Sequence, residues 1–386
     1  MPFESKTVME QRLEFCMLAM KEKANISELC KRYQISRPVG YKWLTRFAEY
    51  GIAGIGYLSR RPKRSPSRIN SDIEQYLVSL RKENPEWGSK KVHKILMNQE
   101  QQGIYPFENI PCKNTITTVF ARNGLISEEK RNKSQRWQRF EYEEPNALWQ
   151  MDFKGYFKLL DKSLCYPLTI LDDHSRFNVG LFACKNEQHE SVKKNLIAVF
   201  RKYGLPEKIL SDNGSPWGAA GQATSDQIRA FTSIEKWLIR LNIKPIHGHA
   251  YHPQTQGKEE RFHRTLKAEV LKYEQFKNHK HCQDRFDKWR EKYNCQRPHE
   301  AIGQEVPLTR YKQSTRSYPE VLPSIEYDSS DIIRKVDEKG LISFKNKLFR
   351  VGKAFKEEFV AVRLTKVECQ FDVYFCNHMI RTINLH

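Results

Sequence analysis

The order of apolar segments in the middle of the chain constrains its fold more than any other feature. Apolar runs separated by polar turns predict five strands, at residues 147–157, 165–171, 178–182, 208–212 and 243–247. Amphipathic periodicity predicts four helices, at about residues 190–203, 225–241, 256–274 and 283–295. Three consecutive strands followed by strand–helix alternation indicate a layered α/β domain over residues 141–314.

Three acidic residues occupy special positions in this pattern. Asp152 and Asp212 both follow apolar runs that are predicted strands, and Glu260 opens a predicted helix behind a polar loop. If the two strands are adjacent, the two carboxylates converge at one edge of the sheet. Carboxylates from three segments can hold hard divalent cations, Mg²⁺ or Mn²⁺ in its place, because such ions prefer oxygen ligands. Two ions held in this way can clamp both oxygens of an in-line phosphoryl displacement.

Helical phase distinguishes Glu260 from its neighbour Glu259. Residues at positions 260, 263, 264 and 267 are spaced i, i+3, i+4 and i+7, so they share one polar face. Glu259 is in line with the apolar residues at 262 and 266, which we expect to face the core. The sequence therefore predicts Glu260 as the metal ligand, with Arg264 and Lys267 as DNA contacts. Ordinary salt bridges on a solvated helix would be the interpretation if this segment stood alone.

Residues 1–58 have a helix-turn-helix pattern, with two short predicted helices around a tight turn. Ser36 is the predicted N-cap of the second helix. In this interpretation Arg37, Tyr41 and Lys42 face the major groove of DNA. A helical hairpin packed on a neighbour is the alternative, and the basic exposed face favours DNA binding.

Two basic linkers are predicted, at residues 59–70 and 128–140. The first has five basic residues, two prolines and no acid. Such a segment can lie along DNA phosphates as an extended arm or serve as a solvated tether. Its candidate phosphate contacts are Arg60, Arg61, Lys63 and Arg64.

A second helix-turn-helix-like unit is predicted at residues 71–127. A capping-box pattern at residues 71–74 opens its first helix, and Gly124 ends its last helix. Lys113 is a candidate DNA contact on that last helix, together with the exposed polar positions 114, 117 and 122.

The pattern becomes β again between residues 325 and 386. Short apolar runs separated by tight turns predict five strands in about sixty residues, which is typical of a small β-barrel. The predicted fold class is therefore multidomain, with all-α helix-turn-helix units, a central α/β domain and a C-terminal all-β module.

The charge balance narrows the class of partner. The net charge is +20, from 66 basic and 46 acidic residues. Residues 1–140 contribute +12 of this, from 26 Lys and Arg minus 14 Asp and Glu. Simple solubility could explain a basic excess, but its size favours a polyanionic partner such as nucleic acid.

Cysteine usage and hydropathy indicate the compartment. The nine cysteines are scattered and form no CxxC pair, which is typical of reduced thiols rather than a disulfide framework. No apolar run approaches the roughly 18 residues of a membrane span, and the N-terminus lacks a signal-peptide pattern. We therefore expect a soluble cytoplasmic protein with no membrane partner.

Two further clusters carry weaker signals. His247, His249 and His252 could suggest zinc, but no cysteine lies near them in sequence, which favours a loop beside the active site. In the turn at residues 172–176, Asp173 could pair with Arg176.

Five segments, taken together and in order, resemble the insertion-sequence transposases of the retroviral-integrase-like DDE class. They are residues 149–152 (WQMD), 172–176 (DDHSR), 211–214 (SDNG), 252–264 (HPQTQGKEERFHR) and 293–299 (YN followed by RPH). The resemblance spans nearly the whole chain. It implies an RNase H-like core in which Asp152, Asp212 and Glu260 are the metal-binding catalytic triad. It also implies Mg²⁺ dependence and action on terminal inverted repeats.

The chain departs from the retroviral pattern in two ways. The gap between Asp212 and Glu260 is 47 residues (213–259), and the extra length at residues 217–225 could form a flap. Helix-turn-helix units also stand where a retroviral integrase has a zinc module, which favours the bacterial branch of the class.

The resemblance implies a polynucleotidyl transferase that frees a 3′-hydroxyl at the ends of a mobile element and joins it to target DNA. Two alternatives remain: a catalytically silent DNA-binding regulator derived from a transposase, and an RNase H-like nuclease without strand transfer. The presence of all three carboxylates argues against the first, and the helix-turn-helix units argue against the second. Since two ends must be processed, we expect a homodimer or larger assembly on double-stranded DNA.

Overall fold

The computed structural model describes residues 6–57, 69–126, 141–212, 231–247 and 257–385. The chain forms two compact units, Met1–Ile69 and Asn70–His386. The predicted phosphate contacts Arg60, Arg61, Lys63 and Arg64 lie outside the described residues, as do the predicted flap and positions 249 and 252.

The first unit contains three helices, α1 (Val8–Ala19), α2 (Ile26–Arg32) and α3 (Arg37–Tyr50), followed by a 3-10 helix (Gly51–Ile55). Its core is formed by four buried residues, Phe15, Cys16, Cys30 and Trp43. Gly40 lets α3 approach α2 closely, because a Cβ at this position would lie 2.6 Å from the Cys30 sulfur. The predicted helix-turn-helix is confirmed, although Ser36 makes no side-chain capping bond to α3.

The second unit begins with three helices, α4 (Ser71–Glu83), α5 (Ser89–Gln101) and α6 (Lys113–Arg122). The predicted capping box at residues 71–74 is wrong, because the helix begins one residue earlier than that pattern requires. Asn70 is the N-cap of α4, and its side chain accepts from the amide of Asp72 at 3.0 Å. Glu74 instead accepts from Arg122, the last residue of α6, because the packed helices bring the two charges together.

A six-stranded mixed sheet lies at the centre of the second unit. Its strands are β1 (Trp149–Phe153), β2 (Phe157–Lys158), β3 (Leu164–Asp172), β4 (Asn178–Cys184), β5 (Lys208–Ser211) and β6 (Lys244–His247). The order is β2-β3-β1-β5-β6, with β4 paired to β3. The first strands pair antiparallel, whereas β1–β5 and β5–β6 pair parallel. The predicted α/β layer is confirmed.

Helices cover both faces of this sheet. They are α7 (His189–Tyr203), α8 (Ser233–Arg240), α9 (Gly257–Leu266), α10 (His279–Cys295) and the short α11 (Pro307–Arg310). Residues of α7 and α8 bury one face around Trp149 and Phe200, and residues of α9 and α10 bury the other around Phe262 and Phe286. The predicted helix at 256–274 is interrupted, since α9 ends at Leu266 and a π-helical turn follows.

The C-terminal residues form two sheets. The strands are β7 (Ile332–Lys335), β8 (Leu341–Phe344), β9 (Lys347–Arg350), β10 (Phe359–Leu364), β11 (Gln370–Phe375) and β12 (His378–Asn384). The larger sheet has the order β12-β11-β10-β7, and β8 and β9 form a separate hairpin. The predicted small β module is confirmed, while its ladders, among the described residues, form these two sheets rather than one closed barrel.

Helix α8 is shared between two hydrophobic cores. Ile234, Trp237 and Leu238 pack into the core of the central sheet. Ile239 and the preceding Phe231 pack into the core of the C-terminal module. Within the part of the chain that the structure describes, every helix is too short or too polar to cross a membrane.

Candidate active site and DNA contacts

The parallel pairing of β1 and β5 brings Asp152 and Asp212 to the same edge of the sheet. Gln150 pairs with Leu210 in the register, and each aspartate follows its member of that pair by two residues. Asp152 lies inside β1, whereas Asp212 is one residue beyond the end of β5. The strand adjacency expected from the sequence is therefore present.

The main-chain oxygen of each aspartate accepts a side-chain hydrogen bond. The Thr169 hydroxyl donates to the Asp152 carbonyl at 3.0 Å, and Nδ1 of His247 lies 2.7 Å from the Asp212 carbonyl. Because a carbonyl oxygen can only accept, His247 donates this bond. Both peptide groups are thus held by partners on neighbouring strands.

Glu259 belongs to the buried layer beneath this edge. It is 1% exposed, and its Oε2 lies 2.9 Å from the Thr169 hydroxyl. Burial, followed by the charge of Asp152, raises the pKa of Glu259 well above its usual value. Burial therefore favours the neutral form of this carboxyl, which contacts the Thr169 hydroxyl.

His263 lies one turn further along α9 and completes this layer. Its Nε2 lies 2.8 Å from the Thr169 hydroxyl, and its Nδ1 lies 3.9 Å from Asp152 Oδ2. Burial and the charge of Lys154 lower the pKa of His263 to about 3, so the ring is neutral. These contacts hold the ring between Thr169 and Asp152.

Glu260 is exposed, as are Arg264 and Lys267 on the same face of α9 and the turn after it. Glu259, Phe262 and Leu266 are buried. Helical phase therefore predicted the exposed positions 260, 264 and 267 and the buried positions correctly, but it was wrong for His263, which belongs to the buried layer. The choice of Glu260 as a ligand stays a prediction.

Negative charges converge on Asp152. Burial, followed by the charges of Asp212, Glu187 and Glu260, raises the pKa of Asp152 to about 7. Among the described residues, no three His, Cys, Asp or Glu side chains are close enough to hold a metal ion as they stand. The donor set nevertheless fits a hard divalent cation, because it consists of carboxylates whose mutual repulsion such an ion would relieve.

Glu187 is a fourth acid near this site that the sequence did not single out. It lies between β4 and α7, and burial and the charge of Asp212 raise its pKa. It follows no strand directly and belongs to no helical face. In the sequence it is only an acidic residue in a β–α connection, and such residues are common on solvated surfaces.

Buried contacts hold the first turn of α9 in place. Lys258 pairs with Asp173, whose side chain is fully buried. Asp173 also accepts from Gln150 at 2.6 Å and from the amide of Tyr142 at 2.9 Å. The predicted pairing of Asp173 with Arg176 is wrong, since Arg176 reaches Glu141 at 2.7 Å instead.

The predicted DNA contacts on the helical regions are exposed where the structure describes them. Arg37, Tyr41 and Lys42 lie on the outer face of α3, and Lys113 begins α6. Arg122, a further candidate on α6, is instead held by Glu74. The exposed residues stay predicted DNA contacts.

Family models match most of the chain in the same order as its domains. A helix-turn-helix domain matches residues 11–63 and a homeodomain-like domain matches residues 39–112. Two integrase core domain models match residues 142–253 and 241–307. The model of the IS481 family transposase C-terminal domain matches residues 331–386.

Curated relatives match about a third of the chain. The Gag-Pro-Pol polyprotein of Mason-Pfizer monkey virus is 34% identical over 128 residues, which is 33% of this chain and 6% of the polyprotein. The Gag-Pro-Pol polyprotein of mouse mammary tumor virus is 30% identical over 128 residues, which is again 33% of this chain and 6% of the polyprotein. The chain thus spans about 6% of the length of these relatives.

Solved structures of retroviral integrases are also similar. The catalytic core of the HTLV-2 integrase in complex with magnesium is 14% identical, with a TM-score of 0.31, and the match covers 44% of this chain and 99% of that one. A chain of the simian T-cell lymphotropic virus intasome is 13% identical, with a TM-score of 0.36, and the match covers 75% and 96%.

Proposed function

We propose that this chain, which belongs to the insertion-sequence transposases of the DDE/integrase superfamily, cleaves DNA at the terminal inverted repeats of a mobile element and joins the freed 3′-hydroxyl to target DNA. The observation that carries this proposal is the parallel pairing of β1 and β5, which sets Asp152 and Asp212 at one sheet edge beside α9. This edge lies within the segment matched by the integrase core models.

In this proposal Asp152, Asp212 and Glu260 hold Mg²⁺, with Mn²⁺ as a substitute, in a two-ion site. Bound ions would supply Lewis acidity to the attacking and leaving oxygens of the phosphodiester. The chain itself would position the DNA: Arg264 and Lys267 lie on the exposed face that follows Glu260, where they would neutralise neighbouring phosphates.

The order of the domains supports separate roles for DNA recognition and catalysis. We assign residues 1–58 and 71–127 to recognition of the element ends and residues 141–314 to catalysis, with basic linkers at 59–70 and 128–140. Residues 325–386 form the small β module. The helix-turn-helix and integrase core domains imply binding to double-stranded DNA, and processing two ends requires at least a dimer. We expect the protein to act in the bacterial cytoplasm, on DNA of the nucleoid.

A cleavage and joining assay tests this function. The protein is incubated with Mg²⁺ and a labelled duplex that carries the ends of its own element, with target DNA present. We expect nicking that leaves a 3′-hydroxyl at the element end, followed by joining, and loss of both steps in Asp212→Asn. Asp284→Asn is the matched control, because Asp284 is an exposed acid of the same domain on α10.

The alternatives give different results in this assay. Specific binding to the ends without cleavage would favour a catalytically silent regulator. Cleavage without joining would favour an RNase H-like nuclease. Full activity in Asp212→Asn would contradict the assignment of the site.

A further inference from the structure

We infer that His247 and Glu235 are a positioning pair that fixes the main chain at Asp212 and so aims the Asp212 carboxylate at the metal site. The inference rests on the proposed function, which makes Asp212 a metal ligand. Neither residue stood out as a partner of Asp212 in the sequence, where Glu235 is one acid of an amphipathic helix and His247 ends a short strand.

Asp152 lies inside a strand ladder, whereas Asp212 lies just beyond the end of one. Asp152 lies inside β1, where its backbone pairs with Thr169 of β3. Asp212 follows the last residue of β5, and the final pair of the β5–β6 ladder is Ser211 with His247. The ladder therefore stops one residue before Asp212, and the bond from the His247 side chain to the Asp212 carbonyl extends the contact between the two strands by one residue.

The His247 ring supplies that bond from the end of the neighbouring strand. Its Nδ1 donates to the Asp212 carbonyl at 2.7 Å and lies 3.4 Å from the Ser211 hydroxyl. Its Nε2 lies 2.8 Å from Oε1 of Glu235. Because both ring nitrogens have protein partners, the ring has no nitrogen left for a metal ion, and His247 acts on the site through the main chain.

Glu235 anchors the ring to α8. It is 2% exposed, and its Oε2 accepts from the amide of Thr232 at 2.7 Å, which completes a capping box at the start of α8. In an ordinary capping box the glutamate serves only its own helix. Here the second oxygen reaches β6, so one buried carboxylate joins the start of α8 to the end of β6 and, through the ring, to Asp212.

Groups that orient metal ligands have a measurable effect on metal binding. Loss of such an outer partner typically costs about 10–100-fold in metal affinity or activity. We therefore expect His247→Ala to raise the Mg²⁺ concentration for half-maximal end cleavage about tenfold, with a smaller change in the rate at saturating Mg²⁺. His247→Asn retains a donor near the position of Nδ1 and should recover most of the wild-type Mg²⁺ dependence.

The test uses the full chain and two readouts besides activity. Mn²⁺ binding is measured by electron paramagnetic resonance without DNA, and backbone amide exchange is measured by mass spectrometry in metal-free protein over residues 207–212. We expect weaker Mn²⁺ binding and faster exchange in His247→Ala and in Glu235→Ala, with wild-type behaviour in His247→Asn. Binding to the duplex ends should be unchanged in all of them.

The controls separate positioning from general stability. Glu10→Ala removes the capping box of α1, in the other unit of the chain, and should change neither Mn²⁺ binding nor exchange at residues 207–212. The inference is overturned if His247→Ala matches wild type in exchange and in Mn²⁺ binding while Asp212→Asn weakens that binding. If exchange rises in His247→Ala but Asp212→Asn binds Mn²⁺ like wild type, the positioning contact stands and the proposed metal site fails.

Discussion

The strand β1 and the first turn of α9 place their acids by different physical means. On β1, the ladder to β3 pairs Asp152 with Thr169, and the ladder to β5 holds the strand up to Gln150, so the backbone fixes Asp152. The first turn of α9 has no ladder, and buried polar side chains fix it: Lys258 pairs with Asp173, and Glu259 contacts Thr169. Backbone pairing tolerates many side chains, whereas buried polar contacts depend on particular ones. Substitutions should therefore affect the two regions differently.

The sharpest test compares the two neighbouring glutamates of α9. Glu260→Gln should lower end cleavage about 10³-fold, because a metal ligand contributes to several kcal/mol of transition-state stabilisation. Glu259→Gln should stay within about tenfold of wild type, since burial favours the neutral form of this carboxyl and a neutral amide of similar shape can keep the contact with Thr169. Single-turnover cleavage rates measure both. The reverse result would make Glu259 the ligand.

Substitution of Lys258 tests how strongly the first turn of α9 depends on the buried ion pair between Lys258 and Asp173. Lys258→Met leaves the carboxylate of Asp173 buried without its cation, and we expect a loss of about 3 kcal/mol in the free energy of unfolding, measured in urea. The double variant Lys258→Met/Asp173→Asn should recover part of this loss. An unchanged midpoint in Lys258→Met would mean that the apolar contacts of Phe262 and Leu266 are enough to hold α9.

On the β1 side, the expected effect is one of pH on the metal-free protein. The folded-state pKa of Asp152, about 7, lies above the ordinary value of 3.8. As pH rises between these values, the unfolded chain loses its proton first, so Asp152 destabilises the fold increasingly. Asp152→Asn should therefore gain stability relative to wild type between pH 4 and pH 8, by about 1 kcal/mol or more. Urea unfolding in EDTA measures this. A constant difference across this range would contradict the raised pKa.

The smallest expected effect concerns Glu187. Its charge raises the pKa of Asp152, so Glu187→Gln should move the acidic limb of the cleavage pH profile to lower pH by a fraction of a unit. The rate on the plateau should change less than about threefold. Glu190→Gln is the control, because Glu190 is an exposed acid in the first turn of α7. Equal shifts in both variants would indicate a general charge effect.

The regular parts of the fold could be predicted because they depend on local periodicity. The apolar runs around Asp152 and Asp212 predicted strands that are present and adjacent. Helical phase separated the buried Glu259 from the exposed Glu260. The helix-turn-helix of the N-terminal unit was likewise recognisable, because two short helical segments flank a tight turn.

The contacts between distant polar residues could not be predicted in this way. Asp173 was expected to pair locally with Arg176, but it pairs with Lys258, 85 residues away in the chain. The bond from His247 to Asp212 spans 35 residues, and it depends on the register of β5 and β6. Pairs at such separations depend on how the strands and helices pack in three dimensions. A local sequence pattern carries no information about that packing.

Because α8 contributes to two hydrophobic cores, the smallest fragment around it that can fold by itself should contain both cores. Residues of α8 contribute to the core of the central sheet and, through Ile239, to the core of the C-terminal module, and Lys236 bonds to Glu358 at 3.0 Å. Truncation before the C-terminal strands would remove the residues that pack against one side of α8, the helix that carries Glu235. The central sheet and the C-terminal module should therefore melt in a single cooperative transition, and a fragment that ends near residue 314 should be poorly soluble.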